Sequence, residues 1–489
     1  MKLRSCALAL TALAGCGDNL NTPPEDAART PDALNPTVDA PTAPVARNVI
    51  FFLGDGMGVA TITAARIYAV GEAGDLTMDT LPETAWVRTY SNDALVTDSA
   101  PSMSAYMTGV KMNNEVIAMS ASTIAVPTGS GNTVDNCASA GPNGTPVTTF
   151  LEQAIAAHRA TGVVTTTRVT HATPASTYAH ICHRDLENAI ASQVVPGGAG
   201  FNTALGTGVD VLFGGGRRQF LPTTAGGLRT DGRDLVAELR AAGYAYAADR
   251  ASFVAIDPAT TARAVGLFTS SHMSYELDRG PTVEPSLAEM TVKAIDILAK
   301  HPQGFFLMVE GGRIDHALHE TNARRALVDT IAFDAAIGAT LAKIRETDPT
   351  LAHTLIVVTA DHDHTMTLNG YAKRTGATTS ANAGILGLVK DPVSGMPSLD
   401  AEGQPYTILG FGNGENRVGA ARSTAPALTD TVASAASFHQ EAAVLMPAGS
   451  ETHGGTDVSL MAIGDGADKF HGFLTNTVVF TLLHAAAGF

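Results

Sequence analysis

The side chains able to do chemistry in this sequence stand in short polar clusters, most of them directly after an apolar run. Asp55 follows Asn48-Val49-Ile50-Phe51-Phe52-Leu53 inside the turn Gly54-Asp55-Gly56-Met57-Gly58. His171 and Thr173 follow Val163-Val164-Thr165-Thr166-Thr167. Glu310, Asp315, His316 and His319 follow Phe305-Phe306-Leu307-Met308-Val309, and Asp361, His362 and His364 follow Leu355-Ile356-Val357-Val358-Thr359. Two further pieces stand apart: Val96-Thr97-Asp98-Ser99-Ala100-Pro101, and Glu451-Thr452-His453-Gly454-Gly455. Ser99 heads a helical pattern through Ala100, Met103, Ala105, Tyr106 and Met107. A helix begins with unpaired N–H groups and a positive dipole end, which favour an anion. Ser99 therefore reads as a nucleophile toward an anionic substrate or as an ordinary helix cap, and alone it does not decide between them.

The donor atoms sort by what they can bind. Asp315, His319 and His453 form a mixed nitrogen and carboxylate set suited to zinc, and Asp315 and His319, four apart, share one face of a helical turn. Asp361 and His362, with Asp55, suit a second zinc beside Ser99. Asp55, Thr173 and Glu310 offer only oxygen, which suits magnesium, with Asp55 bridging the last two sets. Two metal ions about 4 Å apart can clamp the attacking and leaving oxygens of a displacement. Arg184, in Cys182-His183-Arg184-Asp185, can hold two phosphate oxygens at once. Taken one at a time, each of these residues is more often a cap or a surface group; it is their recurrence at successive strand ends that points to a site.

The elements needed to position them are legible. Continuous apolar strands alternating with helical patterns, such as Leu327, Ile331, Ala335, Gly338 and Leu341, predict an α/β fold: a mostly parallel central sheet with helices on both faces. Residues 150–161 read as a helix ended by Gly162. In such folds ligands bind beyond the carboxyl ends of the strands, so the polar clusters are expected to meet there. Residues 366–449 are Gly-, Pro- and Ala-rich and break the alternation; they read as an insertion outside the sheet, ahead of the catalytic chain's return at Glu451.

The chain has 489 residues and a formal net charge of −16. No window carries a basic stripe, which argues against a nucleic-acid partner. Lys2 and Arg4 precede the apolar run Ala7–Leu13, too short to span a bilayer, and Leu13-Ala14-Gly15-Cys16 is similar to the box of bacterial lipoproteins. Residues 1–16 are thus expected to be a lipoprotein signal that leaves a lipid on Cys16, an ordinary signal peptide being the other reading. Residues 17–46, rich in Pro, Asp, Ala and Thr, read as a disordered linker, and 47–489 as the catalytic domain. Of the four cysteines, Cys137 and Cys182 remain for the folded part; export permits a disulfide, and spacing does not decide it.

Taken together, Asp55-Gly56-Met57-Gly58, Asp98-Ser99-Ala100, His171-Ala172-Thr173-Pro174, Val309-Glu310-Gly311-Gly312-Arg313-Ile314-Asp315-His316, Thr359-Ala360-Asp361-His362 and Glu451-Thr452-His453-Gly454-Gly455 resemble the alkaline phosphatases, in that family's order, over roughly residues 47 to 485. The resemblance implies a phosphomonoesterase with two zinc ions and one magnesium per subunit, working through a phosphoserine on Ser99. It assigns Asp315, His319 and His453 to one zinc, Asp55, Asp361 and His362 to the other beside Ser99, and Asp55, Thr173 and Glu310 to magnesium. Arg184 matches the phosphate-binding arginine, Asp98 the carboxylate that orients it, and His364 a histidine behind the zinc pair. His171 and His316 stand where some bacterial members have Asp and Lys, which is closer to the animal enzymes. The insertion resembles the animal crown and implies a homodimer. The animal calcium site follows a Gly-Leu-Phe motif; Thr269-Ser270-Ser271 after Gly266-Leu267-Phe268 lacks its acid. Cys137 matches half of an animal disulfide whose other half is missing here, so that Cys182 is a substitute partner or both are free thiols. Other readings are a phosphodiesterase or sulfatase of the same superfamily, against which Arg184 argues by filling the place of a second ester group, and a non-catalytic phosphate-binding lipoprotein. An exported, lipid-anchored enzyme of the bacterial envelope is the expected location.

Overall fold

The computed structural model describes residues 45–125, 137, 143–417, 422 and 428–489. The expected signal and linker lie outside the described residues, except Val45 and Ala46. In chain order the strands are β1 (Asn48–Gly54), β2 (Glu83–Arg88), β3 (Ala160–Arg168), β4 (Val211–Gly215), β5 (Ala245–Ala247), β6 (Ala264–Leu267), β7 (Phe305–Gly311), β8 (Thr354–Ala360), β9 (Asp363–His364), β10 (Met366–Leu368), β11 (Leu409–Gly414), β12 (Ala442–Leu445), β13 (His453–Gly454), β14 (Val458–Gly464) and β15 (Gly472–Thr475). A 10-stranded sheet runs in the order β15-β2-β14-β8-β1-β7-β3-β4-β6-β5. From β8 to β5 every neighbouring pair is parallel, and only β14, between β8 and β2, runs antiparallel. This is the mostly parallel α/β sheet expected from the strand pattern.

Adjacent residues of β1 show why both faces are apolar. Phe51 packs its ring 5.4 Å from Tyr106, in the helix Ser99–Thr108, while Phe52 packs 5.7 Å from Phe333, in the helix Ala323–Arg345. Successive side chains of a strand point to opposite faces, so these helices cover opposite sides of the sheet. β7 and β8 are buried along their whole length. Among the described residues no helix is long and apolar enough to cross a membrane.

The expected helix over 150–161 is shorter than its pattern. It spans Phe150–Ala156, opened by a capping box of Thr149 and Glu152. His158 then takes a left-handed φ of 58°, and β3 has begun by Ala160. Gly162 lies inside that strand and caps nothing. A Cβ there would come within 2.8 Å of Leu298 and 3.0 Å of Leu307, so the glycine answers to close helix-on-sheet packing.

Past β8 the chain leaves the large sheet. β10, β11 and β12 form a separate 3-stranded sheet, and β13 then returns antiparallel to β9, setting His453 opposite His364.

Candidate active site

Parallel register brings the polar clusters to one edge. Leu53 of β1 is level with Glu310 on β7 and Thr359 on β8, so Asp55, Glu310 and Asp361 emerge side by side. Gly56 ties two of these ends by donating its N–H to Asp361 Oδ1 at 3.0 Å. It has φ 67°, and a Cβ would lie 2.5 Å from the His364 ring. Only glycine meets both demands.

Asp315 and His319 lie on the short helix Arg313–His319, as their spacing predicts. Asp315 Oδ1 is 3.3 Å from His319 Nε2 and 3.5 Å from His453 Nε2, and these two nitrogens are 3.2 Å apart. Around the second set, His362 Nε2 lies 3.4 Å from Asp55 Oδ1, 3.4 Å from Asp361 Oδ2 and 3.2 Å from Ser99 Oγ. In the oxygen set, Thr173 Oγ1 donates to Asp55 Oδ2 at 3.3 Å, and Glu310 Oε2 accepts from Thr167 at 2.9 Å and from Thr165.

The donor sets fit cations. Among the described residues Glu310 Oε1 and Asp361 Oδ2 are buried without a hydrogen-bond partner, with His362 Nε2 beside Asp361 Oδ2 at 3.4 Å. Among the described residues no lysine or arginine pairs with Asp55, Glu310 or Asp361. Burial, and then neighbouring carboxylates, hold Asp361 up to about 6 and Asp55 well above its usual range. Burial likewise lifts Glu310 to about 7. Carboxylates crowded and buried in this way require compensating positive charge to ionise. The histidines are aimed to match: Nδ1 of His453 donates to the Thr97 carbonyl at 2.9 Å, Nδ1 of His362 to that of Asp363 at 3.2 Å, and Nδ1 of His319 to that of Glu451. A carbonyl can only accept, so Nδ1 is the protonated nitrogen of each, and in the neutral ring that a cation requires Nε2 carries the lone pair, directed at the carboxylates. His364 is different. Its nitrogens bond Asp315 Oδ1 at 2.8 Å and Glu451, and although burial opposes its charge, these carboxylates raise it to about 10. It braces Asp315 from behind and has no lone pair to offer.

Ser99 begins a helix of 10 residues whose N-cap is Asp98, yet the Asp98 side chain makes no capping bond. Its Oδ2 accepts from Glu115 N at 2.7 Å and its Oδ1 pairs with Arg184 Nη1. In the first turn Pro101 has no N–H and Ser102 N donates to the Asp98 carbonyl at 3.4 Å, so Ser99 N and Ala100 N are the backbone donors that no Asp98 side-chain cap occupies. The other Arg184 nitrogen, Nη2, donates to His171 Nε2 at 2.9 Å. The Asp98, His319 and His453 side of the site opens through a cleft of about 540 Å³. A larger opening of about 670 Å³ lies by Ala160, Asp210 and Arg263, at the amino ends of the strands. Its cations Arg159 and Lys300 are spent on backbone carbonyls.

His171 and His316 meet a third ring, His272, with centroids 4.2–5.4 Å apart. Arg184, Arg313 and Arg168 donate to one ring each. Burial leads the causes that keep all three neutral, with His316 down to about 3. Sequence reasoning missed His272, whose loop carries no motif, and Glu451, which holds His364 and Thr365. Glu451 lay within a recognised motif, and its position two residues before His453 was the available signal. It also did not pair the cysteines. Cys137 and Cys182 are disulfide-bonded, with Cα atoms 6.0 Å apart, so the free-thiol alternative is set aside.

Comparisons with known proteins identify the family. A family profile described as alkaline phosphatase matches residues 46–489. The chain is 38% identical over 468 residues to the tissue-nonspecific alkaline phosphatase isozyme of Gallus gallus, covering 88% of this chain and 82% of that one. It is 36% identical to a membrane-bound alkaline phosphatase of Bombyx mori, covering 89% and 78%. Among solved structures, Thermus thermophilus alkaline phosphatase superposes with TM-score 0.63 at 28% identity, covering 93% of this chain and 95% of that one. The chain belongs to the alkaline phosphatase family, and it is an enzyme, a phosphoric monoester hydrolase.

Proposed function

We propose that the enzyme is a metal-dependent phosphomonoesterase that works through a phosphoserine on Ser99. The observation that carries this is Ser99 Oγ, at a helix N-terminus, 3.2 Å from His362 Nε2 and 3.5 Å from Asp55 Oδ1. Asp315, His319 and His453 would hold one zinc, Asp55, Asp361 and His362 a second, and Asp55, Thr173 and Glu310 a magnesium. When bound, these ions supply the positive charge that makes a hydroxyl nucleophilic at neutral pH and stabilises the charge of a leaving alkoxide.

The chain's own groups account for the rest. Arg184, steadied by Asp98, holds two non-bridging oxygens of the phosphoryl group. The helix N-terminus adds backbone N–H donors on the same side. Ser99 Oγ gives up its proton to solvent and attacks phosphorus, the P–O bond to the alcohol breaks, the leaving alkoxide takes a proton from water, and the phosphoryl group stays on serine. Water then attacks from the vacated side, the P–Oγ bond breaks, and inorganic phosphate leaves. Two inversions give net retention at phosphorus. His171 and His316 stand behind this site as neutral rings. Acid quenching during turnover of a labelled monoester, followed by peptide mapping, tests the proposal: label is expected on Ser99, and label elsewhere or inversion at a chiral phosphorus overturns it.

Two attributes of the whole protein belong to the same proposal. The lipobox supports export and anchoring through Cys16, which Cys16→Ser should abolish, moving the protein out of the membrane fraction. The separate sheet of β10, β11 and β12, with Val393 and Tyr371 more than nine-tenths exposed nearby, supports a crown-like contact in a homodimer. A monomer by sedimentation would refute the dimer.

A further inference from the structure

Arg184 belongs to no helix or strand. It stands in the turn before the helix Glu187–Gln193, and three attachments hold the backbone it reaches from. Ile117 and Ile181 exchange both backbone hydrogen bonds, at 3.0 Å each. Arg184 N donates to the Glu115 carbonyl at 2.8 Å. Cys182, two residues before Arg184, is bonded to Cys137, and its own N–H lies 3.1 Å from Cys137 Sγ. The stretch beginning at Glu115 thus serves both sides of the phosphate position. Glu115 takes a left-handed φ of 72°, with its N–H on Asp98 Oδ2 and its carbonyl on Arg184 N. Asp98 in turn pairs with the Arg184 guanidinium.

A chain of this length, with a core running through the whole central sheet, does not depend on a staple for its fold, as a small secreted domain does. The one disulfide among the described residues nonetheless falls on the turn that carries Arg184. A long guanidinium side chain grips two oxygens well only if its base does not wander, because a displacement of about 1 Å can cost on the order of 10²-fold in rate.

We infer that the Cys137–Cys182 disulfide is a positioning element of the phosphate grip: it fixes the turn from which Arg184 reaches the substrate, so that affinity for phosphate depends on the oxidised state of this pair. The inference rests on the reading of Arg184 as the phosphate-binding residue. Reduction by a dithiol balances as thiolate attack on one sulfur, release of the other as a thiol, and closure of the reductant to its cyclic disulfide, two electrons passing to the protein.

The test is a double-mutant cycle on the full, metal-loaded enzyme. The four forms are wild type, Cys137→Ser with Cys182→Ser, Arg184→Ala, and all three substitutions together, each measured for kcat/KM on an aryl phosphate, Ki for inorganic phosphate, zinc content and melting midpoint. The cysteine pair alone is expected to raise the phosphate Ki and lower kcat/KM by roughly tenfold with zinc retained. In the Arg184→Ala background the same change is expected to leave both constants where they are. Equal losses in the two backgrounds would mean a general loosening of the fold and overturn the inference, as would an unchanged Ki in a folded cysteine variant. Should that variant fail to fold, dithiol treatment of the folded wild type decides: a rise in Ki that reoxidation reverses supports the inference, and no rise with the thiols titrated overturns it. An Arg184→Ala enzyme with the wild-type phosphate Ki would instead refute the underlying role of Arg184.

Discussion

Ser99 Oγ lies 3.2 Å from His362 Nε2, the ring nitrogen left with its lone pair because Nδ1 donates to the Asp363 carbonyl. The same contact would suit a serine activated by a histidine base. Its surroundings favour a ligand nitrogen, since Asp55 Oδ1 and Asp361 Oδ2 approach Nε2 at 3.4 Å each. Burial holds this ring neutral down to about 3, as both roles require. The two roles separate experimentally. His362→Ala is expected to lose one zinc as well as activity, whereas a histidine acting only as a base would leave the zinc content whole. Ser99→Ala is expected to keep the metals, lose the phosphoenzyme, and turn over at least about 10³-fold more slowly.

The first donor set predicts its own metal loss. His453 is one of three protein ligands proposed for that zinc, and its Nε2 stands 3.2 Å from that of His319. Chelation should abolish activity, and zinc with magnesium should restore it. His453→Ala should bind one zinc fewer by elemental analysis; full zinc content would show the assignment to be wrong.

The metal-free protein should report its buried acids through pH. Glu310 and Asp361 are held near 7 and 6, mainly by burial, against usual values of 4.5 and 3.8. Between those limits the folded state keeps protons that the unfolded chain has released. Stability therefore falls as pH rises through about 4 to 7 and this contribution levels off above. The chelated enzyme should lose more of its melting midpoint between pH 5 and 8 than chelated Glu310→Gln, which has no charge to bury. An equal drop in both proteins would show that Glu310 is already ionised at pH 5.

Gly56 couples backbone geometry to the proposed metal ligands. Alanine there meets a left-handed φ of 67° and places a Cβ 2.5 Å from His364. Strain of this kind costs about 1–3 kcal/mol, and the ring it displaces braces Asp315. Gly56→Ala should lower the melting midpoint and weaken zinc retention in a competition with a chelator. A wild-type midpoint with wild-type retention would show that His364 yields at no cost.

The sequence by itself determined four strands of the central sheet, its mostly parallel α/β character and the donor residues proposed for the site. Continuous apolar runs such as Phe305–Val309 can be satisfied only with both faces covered, and parallel strands bring the residues just past their carboxyl ends to one edge. Asp55, Glu310, Asp315 and Asp361 were legible because each stands within a few residues of the end of such a run. Gly162 was misread because a glycine after a helical pattern looks the same whether it caps the helix or makes room for Leu298. Only the tertiary structure decided the relations between residues far apart in the chain: His364 held between Asp315 and Glu451, His272 joined to His171 and His316, and Cys137 bonded to Cys182 behind Arg184. Local pattern records which face of an element must be buried. It does not record which distant side chain supplies the partner for a ring nitrogen or a sulfur, because that depends on register between strands and on the paths of the loops that cross their ends.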